Sequence, residues 1–594
     1  MKKRVFTVLI CMIFVIMIFA GCSGSDSNTV SDNHDNHDNH DNNTSDVLSK
    51  DVTLVKDGTA VYSIVRPEQG AFSEEVLAVE VLKSIKDNLG VTFKNFGDSN
   101  DGTDKFEILI GNTNRPESET ALDMMLSKGV GKHTDYIICV IGKKIVINAF
   151  TADALKKACD YFCENIATKK TVEGGINYIY SEKGQYTDIT INGINIANFK
   201  IIRPHLNSSY LTNIETENMM DAVLETSGYV MRLYDDEYMS ESEYEIIIGD
   251  TNRSYVENIT YVDEYRITIK GKRVYLNGGS PHATGMAVSE FGKLLKKGSV
   301  TDADSVTGSY KTAVTSYDKR TTYSPTWYDT FDGDVLDTTK WRLMNKGEFG
   351  REGQNGKLSL MSDDPEYVYQ KDGKFYINAQ EKEDAYYGGC ILNDNIMVFR
   401  YGYVEMSALC PDGPGFWSLI YFYQPDDSNA GPFTGANLGY YRPEIDLNEC
   451  FGNGRMTYFN CHAHINVKGQ LAGKEHISFD NSPYKNDRIY HCPDGKTFSD
   501  NFHTYGLIWD ETQMTMVADG KVHFKYEFST EDDIDAFVET YLCMKVAFSV
   551  ARENNNLDIN QVTEEQWENS STMIVDYVYL YQFDDGIQDI IYLK

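Results

Sequence analysis

Glu444, Asp446 and Glu449, in YRPEIDLNECFG (441–452), are the side chains whose types and spacing best suit bond-making chemistry. In an extended strand successive side chains alternate between faces, so Glu444 and Asp446 share one. Glu449 lies five residues past Glu444 and in a regular strand points the other way. A single β-bulge adds one residue and brings it back. The outer carboxyls then stand about four strand steps apart, roughly 13 Å at the backbone, and inward-leaning side chains narrow that gap. A nucleophile and a proton donor about 5 Å apart are what double displacement at a sugar carbon requires. Asp446 between them is placed to hydrogen-bond the nucleophile and help set its ionisation.

The spacing alone is weak. Acids are 89 of 594 residues, so acid-x-acid-x-x-acid arises about twice by chance in such a chain, and context must decide. The competing reading is an exposed acidic edge strand; Ile445 and Leu447 alternate with the acids, so a strand is expected either way.

The elements that must position these acids are short β-prone runs: KFYINAQ (374–380), YGYVEMSAL (401–409), FWSLIYFY (416–423), HTYGLIW (503–509), MTMVAD (514–519) and MIVDYVYLY (573–581). Turn residues separate them, which predicts an antiparallel sandwich. Aromatics near the acids offer flat faces on which sugar rings stack, or else fill the core. CHAHIN (461–466) follows the acid strand. His462 and His464 share a face there and are expected on the substrate side; zinc ligation lacks a third ligand.

Here the chain resembles glycoside hydrolase family 16, in its β-bulged, laminarinase-like branch, whose motif ExDxxE is met by EIDLNE (444–449). The flanking segments follow in order from Trp327 to Gln582: WYDTFDGDVLDTTKWRL (327–343), YGYVEMSALCPDGPGFWSLIYFY (401–423), FHTYGLIWD (502–510), ADGK (518–521) and MIVDYVYLYQ (573–582). The resemblance implies a concanavalin-like jelly roll over 325–585 with an open cleft that cuts internal β-linkages of a polysaccharide. It implies Glu444 as nucleophile, Glu449 as acid/base and Asp446 as helper. It implies Trp417 in the cleft; Tyr441 and Trp509, aromatic and near the acids in sequence, are further candidate substrate contacts, with core packing as the alternative. It implies no required cofactor. Asp576 matches one ligand position of a structural calcium found in relatives, although one oxygen is not a site. A β-1,3- or mixed β-1,3/1,4-glucan is the default substrate; agarose- or carrageenan-type galactans, transglycosylation, and glycan binding without cleavage are the alternatives. Departures include Met544-Lys545-Val546-Ala547-Phe548-Ser549 where relatives often carry Leu-Asn-x-Ala-x-Gly, and Gly415-Phe416 before Trp417 where Pro-Ala is common.

The remaining chain reads as export and accessory structure. Residues 1–22 have a basic start, an apolar run and Phe19-Ala20-Gly21-Cys22, similar to a bacterial lipobox that lipidates Cys22. That predicts a lipid anchor at the outer face of the cell membrane. Residues 23–50, with three NHD repeats, read as a polar tether. KFEILIGNTNRPE (105–117) matches EYEIIIGDTNRSY (243–255), and DYIICVIGKKIVINA (135–149) matches EYRITIKGKRVYLNG (264–278). The repeat predicts two small α/β domains, 51–185 and 186–312, then a linker over 313–324. They resemble the accessory α/β domain of hexosaminidase- and α-glucuronidase-type glycosidases, which implies no active site there. Their Asn-Arg pairs, 114–115 and 252–253, are read first as turn caps and second as sugar ligands. Cysteines number eleven; without Cys11 and Cys22 the count is odd, so pairing is incomplete. The net charge of −34 argues against nucleic acid or an anionic membrane surface as principal partner, and it disfavours a polyanionic polysaccharide unless a local basic cleft overrides the total.

Overall fold

The computed structural model describes residues 51–68, 72–99, 102, 105–184, 186–253, 259, 261–309, 323–425, 441–452, 455–467, 470–478, 488–538, 540–551, 557–583 and 590–593. The calls on residues 1–50, including Cys22, and most of the expected linker lie outside these.

Two six-stranded sheets with helices occupy residues 63–180 and 200–309. Their strand orders correspond. The first runs Asn95–Gly97, Ser63–Arg66, Glu107–Ile110, Lys144–Ala149, Tyr136–Ile141, Asn177–Tyr180. The second runs Arg232–Asp235, Lys200–Arg203, Glu245–Ile248, Arg273–Gly278, Glu264–Lys270, Val306–Ser309. In each, four strands are parallel and a tight hairpin supplies the antiparallel fifth. Gly142 (φ 57°) and Gly271 (φ 62°) open those hairpin turns in the left-handed region, where a side chain is strained. The Asn-Arg motif is structural. Arg115 and Arg253 are buried, paired with Glu107 at 3.1 Å and Glu245 at 3.4 Å, acids at equivalent strand positions. Each Arg also donates to a loop carbonyl, of Asp98 and Met239 respectively.

The C-terminal region is a two-sheet, jelly-roll-like sandwich. Its back sheet orders Val368–Lys371, Lys374–Asn378, Thr572–Phe583, Gly402–Leu409, His503–Trp509, Gln513–Ala518 and Lys521–Glu527, with Tyr323–Asp329 paired to Thr572–Phe583. The front sheet orders Gly350–Glu352, Leu358–Met361, Ala385–Leu392, Cys543–Val550, Phe416–Tyr423, Tyr441–Phe451, Met456–Val467 and Gln470–Ser478. Alternation sends Ile420, Phe422, Ile445, Val546 and Phe548 inward from the front to meet Val404, Met406, Leu507, Val578 and Leu580 from the back. Cys390, Cys410, Cys492 and Cys543 are free, buried thiols.

The second α/β sheet docks on the back of the sandwich. Ser209 Oγ and the Tyr210 amide donate to Glu405, the Asn207 amide to Asp519, Thr504 Oγ1 to the Ser208 carbonyl, and Asn213 Nδ2 to the Gly520 carbonyl. These five contacts fall on back-sheet strands or their turns; His205 with Asp494 and Glu237 with Lys496 add ion pairs on the segment after Ile489–His491.

One acid of the docking helix titrates with folding. Glu215, on helix Tyr210–Ser227, is buried against helix Pro281–Leu295. Burial pushes its carboxyl up from 4.5 to about 7, against smaller opposing effects of hydrogen bonds with Ser289 and Asn218. The folded value lies above the unfolded one, so the native state holds this proton more tightly. The stabilisation is full below pH about 4.5 and is lost as pH rises to about 7, by about 3 kcal/mol. Glu215→Gln is expected to melt progressively higher relative to the parent protein between pH 5 and pH 8. A melting difference that stays flat across that range contradicts this.

Candidate active site

The acid strand, Tyr441–Phe451, pairs antiparallel on both sides, and its register carries the irregularity that parity demands. Against Phe416–Tyr423 the partners are Tyr423↔Glu444, Phe422↔Ile445 and Tyr421↔Asp446, then a shift, then Ile420↔Asn448 and Leu419↔Glu449. Against Met456–Val467, Asp446 faces Asn460 and Glu449 faces Tyr458, three steps matched by two. Leu447 is the extra residue in both ladders, a β-bulge. Lateral partners in a sheet share a face, so Glu444, Asp446 and Glu449 all stand on the side of Tyr423, Tyr421 and Leu419. Ile445, Leu447 and Cys450 pack in the core instead. Asn448 also points away from the acids, with Nδ2 3.6 Å from Cys410 Sγ.

Burial then separates the three acids. Glu444 is half-buried, while Asp446 is 2% exposed and Glu449 9%. Asp446 is too enclosed to be the group that meets substrate first, which suits a supporting place between the other two. Tyr421 lies close enough to register Glu444 and Asp446 electrostatically. Burial first, then the Glu444 charge, hold its phenol well above the ordinary tyrosine range, so it stays a neutral hydroxyl beside the acids. Tyr423 is held high by burial first and then by the neighbouring Cys543; its hydroxyl donates to Asp394 at 3.3 Å.

The other anticipated contacts divide. Trp417 is on the acid face, one strand over and in the row of Phe451, with the two rings nearly parallel at 6.0 Å. Its ring is not bare: the Arg351 guanidinium carbon lies 3.5 Å from its centroid. His462 faces Glu444 across the ladder and His464 faces Arg442, so both occupy positions of the acid face; Tyr441 opens the acid strand opposite Ile465. The side chains of these three lie outside the described residues.

One expectation is corrected. Trp509 is 1% exposed, packs edge-on to Phe399 and Tyr401, and donates Nε1–H to the Phe537 carbonyl at 3.1 Å. It is a core residue, because its strand belongs to the back sheet and its parity turns it inward. Asp576, which matches one calcium-ligand position of relatives, faces the back of the sandwich, where Lys374 Nζ sits 2.6 Å from its carboxylate.

Sequence reading missed the segment that follows Trp341. Residues 342–361 fold over the acid face at the edge away from the acids. Met344 and Met361 pack on Cys390, Leu392, Leu419 and Ala547, with Phe349 alongside. Arg351 comes from this segment. The one sequence cue was the departure at Lys545, whose strand lies beneath it.

Residues 362–579 match the family model described as Glycosyl hydrolases family 16. A curated relative, glucan endo-1,3-beta-glucosidase A1 of Niallia circulans, is 27% identical over 286 residues, 43% of this chain. The chain spans 37% of that relative's length. Among solved structures, the catalytic domain of an endo-1,3-beta-glucanase (laminarinase) from Thermotoga petrophila is 18% identical, covering 44% of this chain and 98% of that one, at a TM-score of 0.33. The endo-beta-1,3-glucanase of Pyrococcus furiosus is 18% identical, covering 44% and 95%, also at 0.33.

Proposed function

We propose that the glycosyl hydrolase family 16 domain of the C-terminal region is a retaining endo-glycosidase that cuts internal β-linkages of an extracellular polysaccharide. The default substrate is a β-1,3- or mixed β-1,3/1,4-glucan. The observation that carries the reading is the bulge at Leu447, which turns Glu449 onto the face of Glu444. The match to the family model and the activity in the printed name of the Niallia circulans relative support it.

In the first step a Glu444 carboxylate oxygen attacks the anomeric carbon as its bond to the leaving oxygen breaks. Glu449, protonated, passes its proton to that oxygen, and a glycosyl ester on Glu444 remains. In the second step Glu449, now ionised, takes a proton from water; the water oxygen bonds to the anomeric carbon and Glu444 is released. Three carboxyls on one face disfavour simultaneous ionisation, which keeps a proton available near neutral pH. Asp446, buried between them, positions and tunes Glu444. Glu444 is half-buried, less enclosed than Asp446 or Glu449.

We also propose that the chain is exported and lipid-anchored through Cys22, with the polar stretch 23–50 as a spacer and the two α/β units as accessory domains. The basic–apolar–Ala-Gly-Cys order supports this. Labelled palmitate incorporated by the full chain and lost in Cys22→Ser is the expected result; equal labelling of both rules the anchor out.

For the reaction, Glu444→Ala and Glu449→Ala are each expected to lower reducing-end release from laminarin or mixed-linkage glucan by about a hundredfold or more. The melting temperature should stay near that of the parent. Normal turnover by either variant ends the assignment. Retention on the same glucans with no release by the parent protein favours glycan binding without cleavage.

A further inference from the structure

Besides Arg442, which the register also places on the acid face, that face carries Lys545 and Arg351, cations that the two-step chemistry does not use. Lys545 pairs with Tyr421 on one side and Leu392 on the other, and Tyr421 pairs with Asp446. Lys545 therefore lies in the row of Asp446, two strands away, about 10 Å at the backbone. It is 8% exposed. Its ammonium stands 5.2 Å from the Tyr421 centroid, 5.3 Å from Phe349 and 5.7 Å from Tyr423. Among the described residues no carboxylate is in ion-pair contact with it. Two acids of that neighbourhood, Glu348 and Asp394, are both held by Arg342, each at 2.7 Å. A nearly buried ammonium ringed by π-faces, with the adjacent carboxylates taken elsewhere, is desolvated and under-compensated.

The second cation is Arg351. Its guanidinium lies on the Trp417 ring and donates Nη2 to the Val550 carbonyl at 3.3 Å. Trp417 is four residues from Tyr421 on the same strand and the same face. The wall opposite the acids thus has Lys545 near one end and Arg351 near the other. The whole protein is strongly acidic, so this local concentration of positive charge is not a reflection of composition.

Building on the glycosidase reading of the acid face, we propose that the cleft selects a β-glycan carrying acidic groups, with Lys545 as the specificity-determining residue and Arg351 as a second contact. A sulfate ester or a uronate carboxylate on a sugar bound against this wall would complete the charge of Lys545. Glu444 and Glu449 still act on the neutral anomeric carbon of the adjoining sugar.

The test uses three forms of one backbone: laminarin, laminarin sulfate, and laminarin oxidised at C6 to the uronate. The parent protein should cleave at least one acidic form with kcat/KM about tenfold above laminarin, and added salt should shrink that ratio. Whichever acidic form is preferred identifies the group. Lys545→Gln should cut the ratio about tenfold, mainly through KM, and Lys545→Arg should restore it. An unchanged ratio in Lys545→Gln, or equal losses on neutral and acidic forms, overturns the proposal. If the parent cleaves none of the three, affinity electrophoresis decides. Retention of an acidic form that depends on Lys545 upholds this inference while the hydrolase reading falls; no such retention overturns both.

Discussion

Parity is the constraint on which the site depends. A strand offers its side chains to alternate faces, and an odd interval of five residues puts two glutamates on opposite sides. One extra residue, Leu447, reverses that, and the same shift appears in the ladders on both sides of the acid strand. The reversal is held in place because the bulged residue is itself in the core. Leu447 and Ile445 bury their side chains between the sheets, so the strand cannot slip by one step without bringing carboxylates into that core. Hydrophobic packing on one face therefore fixes the chemistry on the other.

The rest of the sandwich serves this arrangement by division of labour between its sheets. The back sheet takes the second α/β unit, through Glu405, Asp519 and the Gly520 turn, and buries Trp509. On the front sheet the rows of the acid face read across the strands: Tyr423 with Glu444, Lys545 with Tyr421 and Asp446, Leu419 with Glu449, Trp417 with Phe451. Segment 342–361 closes that face at one edge. Lys545 and Arg351 stand across from the carboxylates, beyond tyrosines that stay protonated, while Arg442 shares the acid strand. Such a surface can hold charge of both signs without neutralising the reacting groups.

The sequence was most legible where a rule of alternation or turn chemistry applied locally. The spacing of Glu444, Asp446 and Glu449 called for a bulge, and the hairpins at Gly142 and Gly271 followed from Gly-Lys between alternating strands. It was least legible where two segments distant in sequence meet. Trp509 reads as a cleft aromatic because an apolar, aromatic strand looks alike in either sheet; only its neighbours in the back sheet turn it inward. Nothing local marks Arg351 as the residue that covers Trp417, since the contact joins segments more than sixty positions apart. Lys545 stands out as a departure from the family pattern, yet its aromatic surroundings come from a neighbouring strand and a loop nearly two hundred positions away. The ion pair of Asp576 with Lys374 was likewise invisible, since Lys374 lies on a different strand of the sheet.

The central claim is that Leu447 brings Glu444 and Glu449 onto one face at a separation suited to double displacement. Proton NMR of the first product released from a β-glucan tests this most directly, because the anomer formed at the instant of cleavage records the geometry. The account predicts the β-anomer first, with the α-anomer growing only by mutarotation. An initial α-anomer would mean that water, and not Glu444, attacks the anomeric carbon. It would place the carboxyls at the wider spacing of roughly 6.5–9.5 Å that inversion requires, and the account would be wrong.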